Sequence, residues 1–327
     1  MNNPLIEIKD LHVQFRVFEG ILKVLDGVNL TLKFGEKVGL VGETSCGKST
    51  IGKAITRLLY IPPAIITRGE ILFEGKDILR MSQVEFRQIR KKISIIFQDP
   101  TAALNPFFTI GTQVQDVIRF AERSGKNTGK EDIRAHAIQA LKEVLIPDPE
   151  RALKSYPIQL SGGMRQRVCI AMALVRMNKL VIADEPVTSL DVTIQDQILR
   201  LLKELVEKYN TSIILISHNL AIVRELTNRV YIMYAGSIVE VAKTKDFFAH
   251  PLHPYSQGLL SVIPKLTGGG IGEGIYGSVP KYINPPKGCR FHPRCKQVMP
   301  ICKEKKAPLF KVSEDHEVAC FLFKNGV

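Results

Sequence analysis

The segment Gly42-Glu43-Thr44-Ser45-Cys46-Gly47-Lys48-Ser49-Thr50 has the Gly-x-x-x-x-Gly-Lys-Ser/Thr spacing of a phosphate-binding loop, and it constrains the fold more than any other stretch. Such a loop works only between a buried strand and a helix. Lys37-Val38-Gly39-Leu40-Val41 before it reads as the strand, and Ile51-Gly52-Lys53-Ala54-Ile55 after it reads as the helix. The glycines let backbone N–H groups face an anion at the positive end of the helix dipole. Lys48 adds a mobile charge for the β- and γ-phosphates, and Ser49 offers a hydroxyl to Mg²⁺.

The 327 residues suffice for one large domain with a small one, or two medium ones, and 45% hydrophobic with 24% charged residues is ordinary for a globular protein. No apolar run approaches the roughly 18 to 20 residues that cross a bilayer. The N-terminus lacks a basic start and an apolar h-region, so the expected compartment is the cytosol. A formal net charge of +13 suits nucleic acid, an anionic membrane surface or an acidic protein partner equally. The densest basic cluster, Arg87-Gln88-Ile89-Arg90-Lys91-Lys92, is short and has the look of one solvated helix face.

Apolar segments at Leu5 to Ile8, Leu11 to Phe15 and Val28 to Leu32, with turn signals at Glu19-Gly20, Asp26-Gly27 and Phe34-Gly35-Glu36, predict an antiparallel β layer. Gly69 to Asp77 reads as a further short strand bounded by turns, and Ile93 to Gln98 as a buried one. Between about 100 and 175 the pattern is helical. Leu180 to Asp184 and Ser212 to Ser217 return to strand character around a helical run from Gln195 to Tyr209, which predicts a parallel sheet covered on both faces. The texture changes after 240. One helix is expected from His250 through Val262, then a glycine- and proline-rich passage from Thr267 to Gly288, then a cysteine cluster. The expected division is 1–245 and 246–327.

Leu180-Val181-Ile182-Ala183-Asp184-Glu185 is an apolar strand ending in two acids. That arrangement places Asp184 near Mg²⁺ and Glu185 near a water in line with the γ-phosphate, as its general base. Upstream, Leu160-Ser161-Gly162-Gly163-Met164-Arg165-Gln166 opens a helix. Here the sequence resembles the ABC ATPase family, whose signature is Leu-Ser-Gly-Gly-x-x-Gln. Ser161, Gly162, Gly163 and Gln166 then form a second phosphate site, and the resemblance implies a head-to-tail dimer in which each signature closes over the partner's ATP. It implies further that Gln98 senses Mg²⁺ and the lytic water, that Ser189-Leu190-Asp191 is the segment crossing the dimer interface, and that His218 contacts the γ-phosphate. An adenine-stacking aromatic is expected in the first β layer, with Phe15 the choice and Phe18 the alternate. Ser45 stands where glycine is usual in such transporters, which restricts the loop.

The resemblance covers roughly 5–240. The implied fold class is α/β, a P-loop NTPase of the ABC ATPase type: a RecA-like core with an antiparallel β layer and an inserted helical subdomain, plus a small loop-rich C-terminal extension. Soluble ABC ATPases that act on nucleic acid are the rival class. Against them, the chain between Lys48 and Asp184 is too short for a long coiled coil, no sustained heptads occur, and there is one cassette. The expected assembly is therefore a peripheral subunit on the cytoplasmic face of the membrane. Its partners would be a second ATPase subunit, two permeases and an extracytoplasmic solute-binding protein, with no nucleic acid.

The tail, with His250-Pro251-Leu252-His253-Pro254-Tyr255, Gly288 to Cys295 and His316 to Cys320, resembles ATP-binding subunits of oligopeptide and dipeptide importers. Relatives of that group also serve oligosaccharides and nickel, and nothing in an ATPase chooses the cargo. In that group the tail can carry a 4Fe-4S cluster. Cys289, Cys295, Cys302 and Cys320 are separated by five, six and seventeen residues, which matches neither zinc knuckles nor ferredoxins, although the count fits a tetrahedral S₄ site. The cluster is preferred; zinc, with His292 and His316 as substitute ligands, and free or disulfide-bonded thiols remain open. Cys46 and Cys169 read as small loop or helix residues, with Cys46 a candidate reactive thiol.

Overall fold

A computed structural model describes residues 3–122, 129–175, 178–188, 190–262 and 274–324. The chain divides into two compact units, residues 1–80 with 215–327 and residues 81–214. The buried strand Ser212–Ser217 carries the chain across the division.

In the first unit, Gly20–Leu32, Ile6–Val17, Ala64–Phe73 and Lys76–Asp77 lie side by side in that order as an antiparallel sheet. Its inner face is built by alternation, with Ile6, Ile8, Leu11 and Val13 all buried on the first strand, each such side chain contributing about 1.5–3 kcal/mol. Two expected turns are not turns. Asp26-Gly27 falls inside Gly20–Leu32, where the pairing slips between Leu11↔Val28 and Val13↔Leu25 and Gly27 takes φ +67°. Gly69 lies inside Ala64–Phe73 at φ +106°, where a Cβ would come within 2.6 Å of Asp10 O. Both glycines serve bulges that let long strands coil, and a bulge has the same local composition as a turn.

The second layer of this unit places Lys37–Val41 parallel to Arg229–Tyr234, which pairs antiparallel with Ser237–Lys243. His316–Val318 then pairs with Ser237–Lys243, and Phe310–Ser313 with His316–Val318, so the C-terminal chain extends the layer that carries the phosphate loop. Glu240 fixes this junction. Wholly buried, it accepts from His316 Nε2 at 2.7 Å and from the N–H groups of Leu252 and His253 at 2.9 and 2.8 Å. The helix expected from His250 begins at Pro254 and ends at Ser261, because His253 Nδ1 accepts the Tyr255 N–H at 3.0 Å and caps it there. Part of the glycine- and proline-rich passage, 267–273, lies outside the described residues.

In the second unit, Ile93–Ile96 runs parallel to the fully buried Leu180–Asp184. Helices Ile110–Glu122, Lys130–Glu143, Pro149–Lys154 and Gly162–Leu174 occupy the stretch where the sequence pattern is helical. The basic cluster ends a helix, Gln83–Arg90, whose Phe86 and Ile89 are buried while Arg87, Gln88 and Arg90 face solvent. The long helix Val192–Lys208 buries Ile198, Leu199, Leu201, Leu202, Leu205 and Val206 at helical spacing.

Candidate functional site

The phosphate loop leaves Lys37–Val41 and enters the helix Lys48–Ile55. Its glycines are forced by contact. A Cβ on Gly42 would lie 2.1 Å from Met233 O, and one on Gly47, at φ +105°, would lie 2.8 Å from Leu25 Cδ2. Lys48 is buried, and its ammonium donates to the Gly42 and Glu43 carbonyls, both at 2.8 Å. Thr44 and Ser45 are exposed, and Ser49 and Thr50 are half-buried at the helix start. Ser45 adopts φ +64°, a left-handed conformation that glycine would take at no cost. Cys46 is buried; burial pushes its thiol pKa up although Lys48 opposes this, so the environment resists thiolate formation.

Sequence reasoning missed what holds this loop. The Glu43 N–H donates to Tyr255 Oη at 2.9 Å. The Glu43 carboxylate accepts from Arg294 Nη1 at 3.1 and 3.0 Å. The Ser45 carbonyl accepts from Tyr282 Oη at 2.9 Å, and the Cys46 carbonyl from the Gly236 N–H at 3.0 Å. Gly236 sits in the turn after Arg229–Tyr234, and Arg290 donates to the carbonyls of Ala235 in that turn and of Lys23. Tyr255, Tyr282, Arg290 and Arg294 all come from the chain after 245, and no local pattern links them to residue 43.

In the second unit, the structure brings together Gln98 and Glu185. Gln98 Nε2 donates to Glu185 Oε2 at 3.2 Å, and Thr188 Oγ1 lies 3.2 Å from the same oxygen. Glu185 adopts φ +47°, an uncommon conformation for a side-chain-bearing residue, directly after the buried Asp184. Ser161 caps Gly162–Leu174 by accepting the Met164 N–H at 3.3 Å and is itself exposed. Gly163 has a packing reason to be glycine, since its Cβ would meet Ile194 Cγ2 at 2.9 Å. Gln166 is buried within the helices, with neither amide atom hydrogen-bonded among the described residues. Asp191 is exposed at the start of Val192–Lys208, and Ser189 lies outside the described residues.

In the first unit, His218 is exposed immediately after Ser212–Ser217. Phe15 is half-buried on Ile6–Val17, and Phe18 is fully exposed at the turn that follows. The tail cysteines are free thiols: Cys302 and Cys320 are buried, Cys289 and Cys295 half-buried. The Cys289 N–H donates to the Cys302 carbonyl at 2.9 Å. Burial, aided by the neighbouring Cys289, Cys295 and Cys302, pushes the Cys320 thiol up to about 11. Among the described residues, no three His, Cys, Asp or Glu side chains converge as a metal-binding group. No helix among them is long and apolar enough to cross a membrane.

The family described as ABC transporter matches residues 25–188, and the C-terminal region of oligopeptide/dipeptide transporters matches residues 239–302. The chain is 45% identical over 321 residues to the oligopeptide transport ATP-binding protein OppD of Bacillus subtilis (strain 168), covering 97% of this chain and 88% of that one. It is 42% identical over 319 residues to the dipeptide transport ATP-binding protein DppD of the same organism, covering 97% and 94%. Among solved structures, it resembles a dimeric post-hydrolysis state of the ATP-binding cassette MJ0796 bound to ADP and Pi, with a TM-score of 0.64 and 29% identity, covering 73% of this chain and 98% of that one.

Proposed function

Because this chain belongs to the ATP-binding proteins of the oligopeptide and dipeptide ABC transporters, we propose that it hydrolyses ATP to energise import of peptides through a membrane permease. The observation that carries the reading is the pairing, on one chain, of a glycine-forced phosphate loop with the C-terminal region of that transporter class. Residues 1–245 form the nucleotide-binding part and 246–327 the extension.

Lys48 and the N–H groups at the start of Lys48–Ile55 receive the ATP phosphates, and Phe15 stacks on the adenine. A Mg²⁺ ion, held by Ser49, Gln98 and Asp184, would neutralise phosphate charge. Glu185 removes a proton from the attacking water as its oxygen bonds to the γ-phosphorus and the bond to the leaving ADP oxygen breaks, with Gln98 and Thr188 fixing the carboxylate beforehand. His218 contacts the γ-phosphate. Ser161, Gly162, Gly163, Gln166 and Asp191 serve the nucleotide of a second ATPase subunit, so ATP draws two subunits together and hydrolysis releases them.

The second ATPase subunit, two permeases and a solute-binding protein complete the assembly, with this chain on the cytoplasmic face of the membrane. The 4Fe-4S cluster stays a proposal for Cys289, Cys295, Cys302 and Cys320; it is supported by four free thiols in the tail, of which Cys289, Cys295 and Cys320 have their pKa raised by burial and by the charge of neighbouring cysteines. Reconstitution with the partner subunits in liposomes tests the transport reading. ATPase stimulated through the binding protein by peptides, and not by oligosaccharides or nickel, is the expected result; stimulation only by either of the latter would replace the cargo.

A further inference from the structure

Glu43 is gripped through its carbonyl by Lys48, through its N–H by Tyr255 and through its carboxylate by Arg294. The last two posts are themselves rigid. Tyr255 is fully buried against Tyr234, with ring centroids 4.7 Å apart. The Arg294 side chain is 7% exposed, and its guanidinium is fixed by the Ile275 carbonyl at 3.2 Å, the Tyr276 carbonyl at 3.0 Å and Tyr234 Oη at 3.3 Å. Two residues further along the loop, Tyr282 holds the carbonyl of Ser45, the one loop residue other than glycine with a left-handed backbone.

The Glu43 carbonyl that Lys48 uses is therefore not a free loop atom. It belongs to a peptide pinned on either side by residues more than two hundred positions away. Lys48 must share or leave this carbonyl to reach a phosphate, and a loop already held in one shape loses less conformational freedom when it does so. We propose that Tyr255, Tyr282 and Arg294 are positioning residues for ATP binding, by which the C-terminal extension presets the backbone of the phosphate loop. This rests on the reading of that loop as an ATP site. A fork-shaped guanidinium is needed, because a lysine ammonium cannot hold the carboxylate, Tyr234 and two carbonyls in one plane.

Calorimetric titration of MgATP into the full chain tests this. Arg294→Met and Glu43→Gln are each expected to weaken binding about tenfold. The double variant should be no weaker than either single, because both remove one interaction. Arg294→Lys should recover only part of the loss. Tyr255→Phe, which keeps the buried ring, should weaken binding roughly threefold or more at an unchanged melting temperature. Losses that multiply in the double variant, or wild-type affinity in both Arg294→Met and Tyr255→Phe, would overturn the proposal. Should Arg294→Met fail to fold, wild-type affinity in Arg294→Lys together with Tyr255→Phe overturns it equally. If the unsubstituted chain does not bind MgATP, the functional reading fails first and takes this inference with it.

Discussion

Gln98 donates its side-chain N–H to the carboxylate of Glu185 at 3.2 Å, across 87 positions of sequence. The proposed role of general base needs a carboxylate held in one orientation, and Gln98 and Thr188 both meet one oxygen of Glu185. Substituting Glu185→Gln should leave MgATP affinity near that of the unsubstituted protein and lower kcat by about 10²–10⁴. Single-turnover phosphate release measures this; near-normal turnover would remove Glu185 from the role of base.

Gly42 gives a sharper structural test. With Met233 O 2.1 Å from the position of a Cβ, Gly42→Ala forces the strand and loop apart. The cost should be about 3 kcal/mol or more, seen as a lower urea midpoint, together with loss of MgATP binding. An alanine variant with unaltered stability and affinity would contradict the described loop.

Stability should fall in acid, with the sign set by the tail. Burial pulls the pKa of His253 down from 6.5 to about 4, against the opposing charge of Glu240. Below about pH 6.5 the unfolded chain takes up a proton that the folded chain refuses, so stability declines towards pH 4 by roughly 3 kcal/mol. Glu240 adds to this at lower pH. Burial raises its pKa, but hydrogen bonds from His316, Leu252 and His253 outweigh burial and hold it below the usual value, so its contribution is present above about pH 4.5 and lost as pH falls through the lowered value. Urea melts of the unsubstituted chain and of His253→Asn, whose side chain can still cap the helix, would show a shallower slope for the variant between about pH 6.5 and 4. Equal slopes would mean that His253 is not the titrating group.

For the tail thiols, anaerobic purification followed by metal and sulfide analysis should return about four iron and four acid-labile sulfide per chain, and Cys295→Ser should lose both. About one zinc and no sulfide would replace the cluster with a zinc site; no metal at all would end both proposals.

The residues proposed to meet phosphate could be named because a phosphate loop has fixed spacing: Gly42 to Thr50 follow one another, and so do Leu180 to Glu185 and Leu160 to Gln166. Strand and helix types were legible where a continuous apolar run or a helical period persisted, as in Leu180–Asp184 and Val192–Lys208 respectively. The bulges at Gly27 and Gly69 were not, since glycine with a polar neighbour marks a turn and a bulge alike, and only the partner strand decides between them.

By itself, then, the sequence determined a nucleotide-binding α/β chain and the residues proposed to bind and cut a phosphoanhydride, because those rest on local spacing and side-chain chemistry. Tertiary structure alone decided what holds those residues ready. Arg294 reaches Glu43 across 251 positions and Gln98 reaches Glu185 across 87, and such pairings arise from strand order and packing, which impose no repeat on the chain that a reader could find.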